Sequence, residues 1–582
     1  MVSMKREQFC SEAQSYAEIL EWLKTCFPSP VSDPIMDGYF VHTVSHFLDH
    51  VDSLKSLAPI LGVKEKPQSC QDARAETEER TQSEGCLDLS SAMDFPEHVT
   101  SVESVTELLA GYLKGMNIWA HPNSQANVIP PSSIPSITAF IAAAIYNPNI
   151  IWDEYSALFA QAEIEAISMI SHLVGYGPRQ SGGVFTFGGT GTIFYGCKVG
   201  LEKALGGRGN VEGIREDLKI VASQSSHYSH LNVASWLGIG TRNLVLIPTN
   251  QQSEISLSHL EEYLRRAFEE GTKVAAILAT MGTTDAFGID DLGAIVRLRD
   301  RLAVEYELEH PPHIHADSVI GWIWSVFRDY DFLDNPLGFR PRTLRALQDS
   351  IQRISALAKA DSFGVDFHKT GYAPYISSAF LVRDRRDLAL LSREPDKMPY
   401  LYQFGQYHPG IYTLETSRSG AGALAALANM RLLGKQGYRT LIGHVVEMAE
   451  LLRQRLEEHR FIRVINEGNK GPVTLFRVYP DKMEAKDVFS REMNDPRYRE
   501  YLLEHNEFNR EIFHEIHEKS MRGEGVLLSW TDAFICADYS YGPPIASLKS
   551  FIMSPWTDEK AIDTVVREVV EAKGSLEEKM GF

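Results

Sequence analysis

The spacing of apolar positions changes character three times along the chain. Up to about Gly62, Tyr16, Ile19, Leu20 and Leu23, then Val44, Phe47, Leu48 and Val51, recur at helical intervals and predict a helical segment over residues 1–63. Residues 64–92 are polar, charged and nearly free of large apolar side chains, so a flexible linker is expected there. From about Val99, short apolar runs alternate with amphipathic stretches. The runs are Gly183–Phe187, Leu218–Ala222, Leu244–Pro248, Val274–Met281, His313–Ala316, Ser362–Phe367 and Ala379–Val382. Most are separated by enough residues for a helix or a long loop, which predicts an α/β domain around a mostly parallel sheet over residues 93–420. Beyond Ala421 a long amphipathic stretch carries Leu424, Leu427, Met430, Leu441, Val445 and Leu452. Strand-like Val473–Val478 and Val526–Trp530 follow, and a helix from about Asp558 closes the chain, so residues 421–582 read as a smaller α+β domain.

Composition narrows the possible partners. A net charge of −20 argues against nucleic acid and against anionic membrane surfaces. The longest apolar stretch, Ile137–Tyr146, is too short for a membrane span, and the first residues lack the apolar core of a signal peptide. The six cysteines are scattered without a CxxC pair, which favours reduced thiols. A soluble, cytoplasmic protein is expected.

Four segments at predicted strand ends carry candidate chemistry, since open parallel sheets bind ligands at the carboxyl ends of their strands. Phe187-Gly-Gly-Thr-Gly-Thr192 follows a strand and precedes a helix-compatible run. Its glycines let backbone N–H groups approach an anion at a helix N-terminus, although no Gly-Lys-Ser/Thr follows as in a P-loop. His227 stands just past Leu218–Ala222, where an imidazole could stack on a planar ring. Asp317 closes Ile314-His-Ala-Asp317; a carboxylate there needs a partner, which a pyridinium N–H would supply. Lys369 ends the run Ala360-Asp-Ser-Phe-Gly-Val-Asp-Phe-His-Lys369, apolar on its N-terminal side and followed by Gly371. Desolvation in a closed site lowers the pKa of such an amine, which suits Schiff-base chemistry. Each signal alone has an ordinary explanation: a Gly-rich turn, a satisfied histidine, an Asp cap, a surface lysine. Their order along the chain gives them weight.

From roughly His121 to Met430, and more weakly on to Ser554-Pro-Trp-Thr557, the chain resembles the group II pyridoxal-phosphate-dependent amino-acid decarboxylases. The resemblance, nearest to the tyrosine and glutamate decarboxylase-like branch, implies an aspartate-aminotransferase-type fold and pyridoxal 5′-phosphate as cofactor. It implies that Lys369 forms the Schiff base, that Asp317 pairs with the ring nitrogen, and that His227 stacks on the ring and takes part in proton transfer. Gly189, Thr190 and Gly191 would cradle the phosphate, with Ser362 and His368 beside them, and Thr283 would sit next to the cofactor. His121 and Pro122 match a substrate-side pair, and Tyr412-Thr-Leu-Glu-Thr-Ser-Arg418 resembles a segment that reaches the neighbouring subunit's site, so a homodimer with shared sites is implied. A proton-donating tyrosine is expected on a loop over Arg393–Gly410, with Tyr400, Tyr402 and Tyr407 available and Tyr407 chosen. Thr370, Ser377, Ser318, Val319, Trp322 and Trp324 depart from the family's usual residues. The implied activity is decarboxylation of an L-amino acid, with tyrosine or another aromatic as substrate. A glutamate-like acidic substrate, an aldehyde synthase, a transaminase, a carbon–sulfur lyase or a silent regulatory homologue are the alternatives.

Other motifs point elsewhere only weakly. His42, His46 and His50 share a helix face but lack further ligands, and His514-Glu-Ile-His517 matches neither HExxH nor HxxEH, so no metal is expected. Glu163 and Glu165 read as solvated carboxylates on an amphipathic helix.

Overall fold

A computed structural model describes residues 15–62, 95–177, 179–398, 404–480 and 483–580; the linker expected over 64–92 lies outside the described residues. Seven apolar runs form one sheet: β1 (Gly182–Thr186), β2 (Leu218–Ser223), β3 (Leu244–Ile247), β4 (Lys273–Thr280), β5 (His313–Asp317), β6 (Ser362–Asp366) and β7 (Ser378–Val382). Their order is β1-β7-β6-β5-β4-β2-β3. Pairings from β3 through β2, β4 and β5 to β6 are parallel, and β7 is antiparallel to both β6 and β1. Only β7 runs against the rest. The carboxyl ends of β1, β2, β4, β5 and β6 therefore open on one edge, where the residues that follow them converge.

The helix Gly189–Ala204 packs across one face of this sheet, and glycines let it come close. A Cβ at Gly196 would strike the His315 ring, one at Gly200 would lie 2.6 Å from the Ala275 carbonyl oxygen, and Thr192 sits where a Cβ on Gly364 of β6 would be. The opposite face is covered by Ile167, Ile170, Ile295, Leu298 and Leu347, the core of the large cluster. All the strands of β4 to β7 are buried along nearly their whole length, which is why they read as continuous apolar runs rather than alternating ones.

The long helix Ala421–Glu457, broken at Gly434 (φ 52°, ψ −168°), leads into a four-stranded antiparallel sheet. Its strands are β8 (Ile462–Val464), β9 (Val473–Val478), β10 (Ser529–Cys536) and β11 (Pro544–Phe551), in the order β10-β11-β9-β8. Val445, Leu452, Phe476, Leu548, Val565 and Val569 form its core with the helix Glu559–Met580. The run Val526–Trp530 belongs to this sheet only from Ser529 onward, since the buried Val526–Leu528 precede the ladder. β11 escaped the hydropathy pattern because Ser547, Lys549 and Ser550 interrupt it, although all three are buried.

By contacts the chain divides into two units. One comprises the described residues up to Ile118 with His517–Gly525, the other Trp119–Ile516 with Val526–Phe582. In the first, the helix Tyr16–Lys24 starts on a capping box in which Ser15 and Glu18 exchange hydrogen bonds, and Pro34–Ser53 is capped by Asp33. Among the described residues no helix is long and apolar enough to cross a membrane, and no group of His, Cys, Asp and Glu side chains could hold a metal ion.

Candidate active site

At the carboxyl edge of the large sheet lies a cavity of about 260 Å³. Segments that follow five strands line it: Phe187–Thr190 after β1, His227 and Ser229 after β2, Gly282–Thr284 after β4, Asp317 and Val319 at β5, and Asp366, His368 and Lys369 at β6. Gly189, Thr190, His227, Thr283, Asp317, His368 and Lys369, separated by up to 180 residues in sequence, thus meet in one place.

Gly188 adopts φ +103°, a conformation that L side chains rarely take, and turns the chain into the helix Gly189–Ala204. The first N–H groups of that helix have no intrahelical acceptor, and Gly189 and Thr190 line the cavity, an arrangement suited to a phosphate dianion. Gly191 does not line the cavity; a Cβ there would lie 2.7 Å from Thr186 Oγ1 and against the Phe187 ring, so its absence serves packing.

Nδ1 of His227 accepts hydrogen bonds from the Ser229 hydroxyl at 2.8 Å and the Ser229 backbone N–H at 3.2 Å. Those two acceptor contacts leave the ring proton on Nε2. Burial lowers its pKa, opposed by Asp317 and reinforced by Lys369 and His230, so the imidazole is neutral at neutral pH. Thr283 Oγ1 accepts from the N–H groups of Gly288 at 2.9 Å and Ala286 at 3.3 Å, which fixes the loop after β4.

Asp317 ends β5 and is almost fully buried, with no hydrogen-bond partner for Oδ1. Burial would raise its pKa, but the neighbouring His230, Lys369 and His315 outweigh that and hold it at about 2. A buried carboxylate with one free oxygen on a cavity wall lacks a donor, and a protonated pyridine nitrogen is such a donor. Lys369 Nζ lies 3.2 Å from Asp366 Oδ2. The latter carboxylate accepts the Ser378 hydroxyl at 2.6 Å through Oδ1 and stands 3.4 Å from His368 Nε2. An amine, a buried carboxylate with one oxygen unpartnered and a helix N-terminus around one cavity fit pyridoxal 5′-phosphate.

Besides Gly191, two more expected cofactor or catalytic residues are placed elsewhere. Ser362 does not reach the cavity, because neighbouring imidazoles occupy its hydroxyl. Lys203 Nζ donates to His313 Nδ1 at 3.4 Å, so His313 Nε2 donates to Ser362 Oγ at 2.7 Å, and Ser362 in turn donates to His315 Nδ1 at 2.9 Å. Tyr407 is also absent from the cavity wall; its hydroxyl donates to Glu163 Oε2 at 3.0 Å. Tyr400 and Tyr402 lie outside the described residues. His121 and Pro122 do not line the cavity either, and the Pro122 carbonyl accepts the Thr557 hydroxyl at 3.0 Å.

Glu163 is not solvated: it is fully buried and grips Arg418 at 2.6 and 3.1 Å, while also accepting the Phe185 N–H. Glu165, by contrast, is partly exposed and pairs with Arg431 at 3.1 Å. The departures from the family pattern find structural partners. Thr370 donates to the Ile320 carbonyl at 2.8 Å, Ser377 to that of Gly422 at 2.7 Å, and Ser318 to that of Gly364 at 2.6 Å.

Asp366, Ser229 and Tyr375 were not singled out from the sequence, yet they line the cavity. Asp366 stands three residues before Lys369, one helical turn's spacing and the one available signal. Tyr375 packs against His368 with ring centroids 3.9 Å apart and planes tilted by 39°.

A lysine facing a carboxylate-walled cavity at the edge of such a sheet defines a pyridoxal-phosphate enzyme of the aspartate-aminotransferase fold type. Residues 89–321 match the pyridoxal-dependent decarboxylase conserved domain, a span that contains Gly189, His227, Thr283 and Asp317 and stops before Lys369. The chain is 24% identical over 427 residues to an L-2,4-diaminobutyrate decarboxylase of Acinetobacter baumannii, covering 70% of this chain and 78% of that protein. It is 24% identical over 407 residues to an L-tyrosine decarboxylase of Enterococcus faecalis, 62% of each chain. The crystal structure of mouse CSAD in apo form superposes with a TM-score of 0.70 at 18% identity, over 93% of this chain and 99% of that one. The matched domain and these relatives make the chain similar to the group II pyridoxal-phosphate-dependent amino-acid decarboxylases, carboxy-lyases of amino-acid metabolism.

Proposed function

We propose that this enzyme removes the α-carboxylate of an L-amino acid with tyrosine-like or other aromatic character, using Lys369 as the residue that holds the cofactor. The convergence of Lys369, Asp317, His227 and the Gly189–Thr190 turn on one cavity carries the reading. When bound, the cofactor supplies an electron sink for the pair released at the substrate's Cα as carbon dioxide leaves. The chain's own groups do the rest. Asp317 holds a proton at the ring nitrogen. The N–H groups of Gly189 and Thr190, with His368 nearby, hold the phosphate. His227, neutral and carrying its proton on Nε2, offers a flat face and a proton donor on the cavity wall.

The wall supports a side chain that is not acidic. Phe187, Ile193, Val319, Tyr375 and Ile376 supply its apolar part, and Lys369 is its one Lys or Arg among the described residues. One observation favours an acidic substrate instead: Lys549, nearly buried, pairs with Asp285 at 2.9 Å, next to Thr284 of the wall. Exposed Ile134, Ile137 and Ile141 along one helix, and exposed Phe187 and Ile376 at the cavity mouth, support a homodimer that covers them. A cytoplasmic location completes the proposal.

The test is an amine and carbon dioxide release screen of the purified protein with added pyridoxal 5′-phosphate against the common L-amino acids, in parallel with Lys369→Ala. Stoichiometric amine and carbon dioxide from an aromatic substrate, lost in the variant, is the expected result. Keto acid, oxygen consumption, or borohydride-fixed cofactor in the variant would each contradict it.

A further inference from the structure

One buried imidazole beside the cavity has no role so far. His230, on the helix Ser229–Trp236, is 2% exposed, and its Nε2 lies 3.5 Å from Asp317 Oδ2. No protein hydrogen bond meeting strict geometry satisfies either of its ring nitrogens, or Oδ1 of Asp317. Burying an imidazole without a partner is costly, and the Asp317 carboxylate is the acceptor it reaches. A carboxylate at a strand end can rotate about two side-chain bonds, so fixing one oxygen also aims the other.

We propose that His230 is the positioning residue of Asp317: its Nε2–H holds Oδ2 and thereby turns Oδ1 to the ring nitrogen of the cofactor. The proposal rests on the reading that Asp317 contacts that nitrogen. Three further groups act on the same carboxylate: Lys369 from the segment after β6, His315 from β5 itself, and His227 from the segment after β2. None of the three comes within 4 Å of an Asp317 carboxylate oxygen, as His230 does, and Lys369 pairs with Asp366 instead. Partners of this kind hold a functional group in register by limiting its rotation, the same logic by which outer partners orient metal ligands.

Two neutral variants of similar polarity separate position from mere presence. In His230→Gln the amide nitrogen falls close to the site of Nε2; in His230→Asn it falls close to that of Nδ1, too far back to touch Oδ2. Each full-length variant is titrated with pyridoxal 5′-phosphate, following both affinity and the absorbance of the bound chromophore, and the cofactor-free melting temperature is recorded. The expected result is about tenfold weaker binding and an altered absorbance for Asn, with Gln within about threefold of the unsubstituted protein, the scale of one charge-assisted hydrogen bond. Equal melting temperatures of the two variants place the effect at the site. Wild-type binding and absorbance in the Asn variant, or an equal loss in both, would overturn the proposal. If the unsubstituted protein takes up no cofactor, the underlying site reading is what fails, and this proposal falls with it.

Discussion

Lys369 and Asp366 form an ion pair at 3.2 Å within a single turn, with the carboxylate fully buried and the amine's side chain 18% exposed. In the cofactor-free protein this pair neutralises a charge that would otherwise face the cavity alone. Asp366→Asn keeps an oxygen for the Ser378 hydroxyl but removes that neutralisation. Urea unfolding of the cofactor-free variant should show a loss of about 2 kcal/mol, less than the roughly 3–5 kcal/mol for breaking a fully buried pair because the lysine is partly hydrated. An unchanged midpoint would show that the pair contributes nothing.

Acid stability should depend on two buried histidines. Burial lowers the pKa of His313 to about 3, with Asp361 opposing, and that of His315 to about 4, with Asp317 opposing. Both remain neutral in the folded protein while the unfolded chain takes up protons below about 6.5. Unfolded molecules therefore bind more protons than folded ones, and stability falls as pH drops from about 6.5 towards 4 and 3, by about 1.4 kcal/mol per pH unit for each group. Equilibrium unfolding measured from pH 7 to pH 4 should show the slope, and His315→Gln should reduce it by one proton.

Gly189→Ala tests the anion cradle. The new Cβ would stand 2.9 Å from Asp366 Oδ2 and 3.2 Å from Val319 Cγ1, on the cavity wall. The variant should bind pyridoxal 5′-phosphate at least about tenfold more weakly, a loss of about 1.4 kcal/mol, while still folding. Absorbance titration gives the affinity; circular dichroism reports the fold.

Tyrosines 375 and 407 should behave differently. Tyr375 lines the cavity, and burial raises its pKa to about 12, with Asp366 adding to the rise, so it stays protonated and able to donate. Tyr375→Phe is expected to lower kcat by about tenfold or more with unchanged cofactor affinity. Tyr407→Phe removes a hydrogen bond to Glu163 and should cost about 1 kcal/mol of stability with a smaller effect on kcat. Steady-state kinetics and urea unfolding of both variants decide between the roles.

The strands of the large sheet could be read from sequence because they are buried on both faces. A strand such as Lys273–Thr280 has one polar residue at its start and then seven buried positions, an unambiguous apolar run. The residues at their carboxyl ends were legible for the same reason: Lys369, Asp317 and His227 follow directly from where the strands stop. Tertiary partners were not legible. The family resemblance implied Ser362 beside the phosphate, but it stands opposite His315 in the β5–β6 register, and that pairing decides its fate. Tyr407 was a reasonable donor by loop position, and only the buried Glu163–Arg418 pair, 255 residues apart in sequence, shows why it points elsewhere. β11 was missed because a buried lysine and two buried serines look like surface.

Glycines at 196 and 200 set how low the helix Gly189–Ala204 rides over the sheet, with His315 and the Ala275 carbonyl immediately beneath. The N-terminal end of that same rigid rod carries the Gly188–Thr190 turn on the cavity wall, the proposed phosphate cradle. A single methyl group added two or three turns away would act as a wedge, lifting the rod and tilting the turn at its start. Cofactor affinity in this enzyme can therefore drift through changes that never touch the cofactor, and surveys of natural variation at these two positions should find it restricted to the smallest side chain.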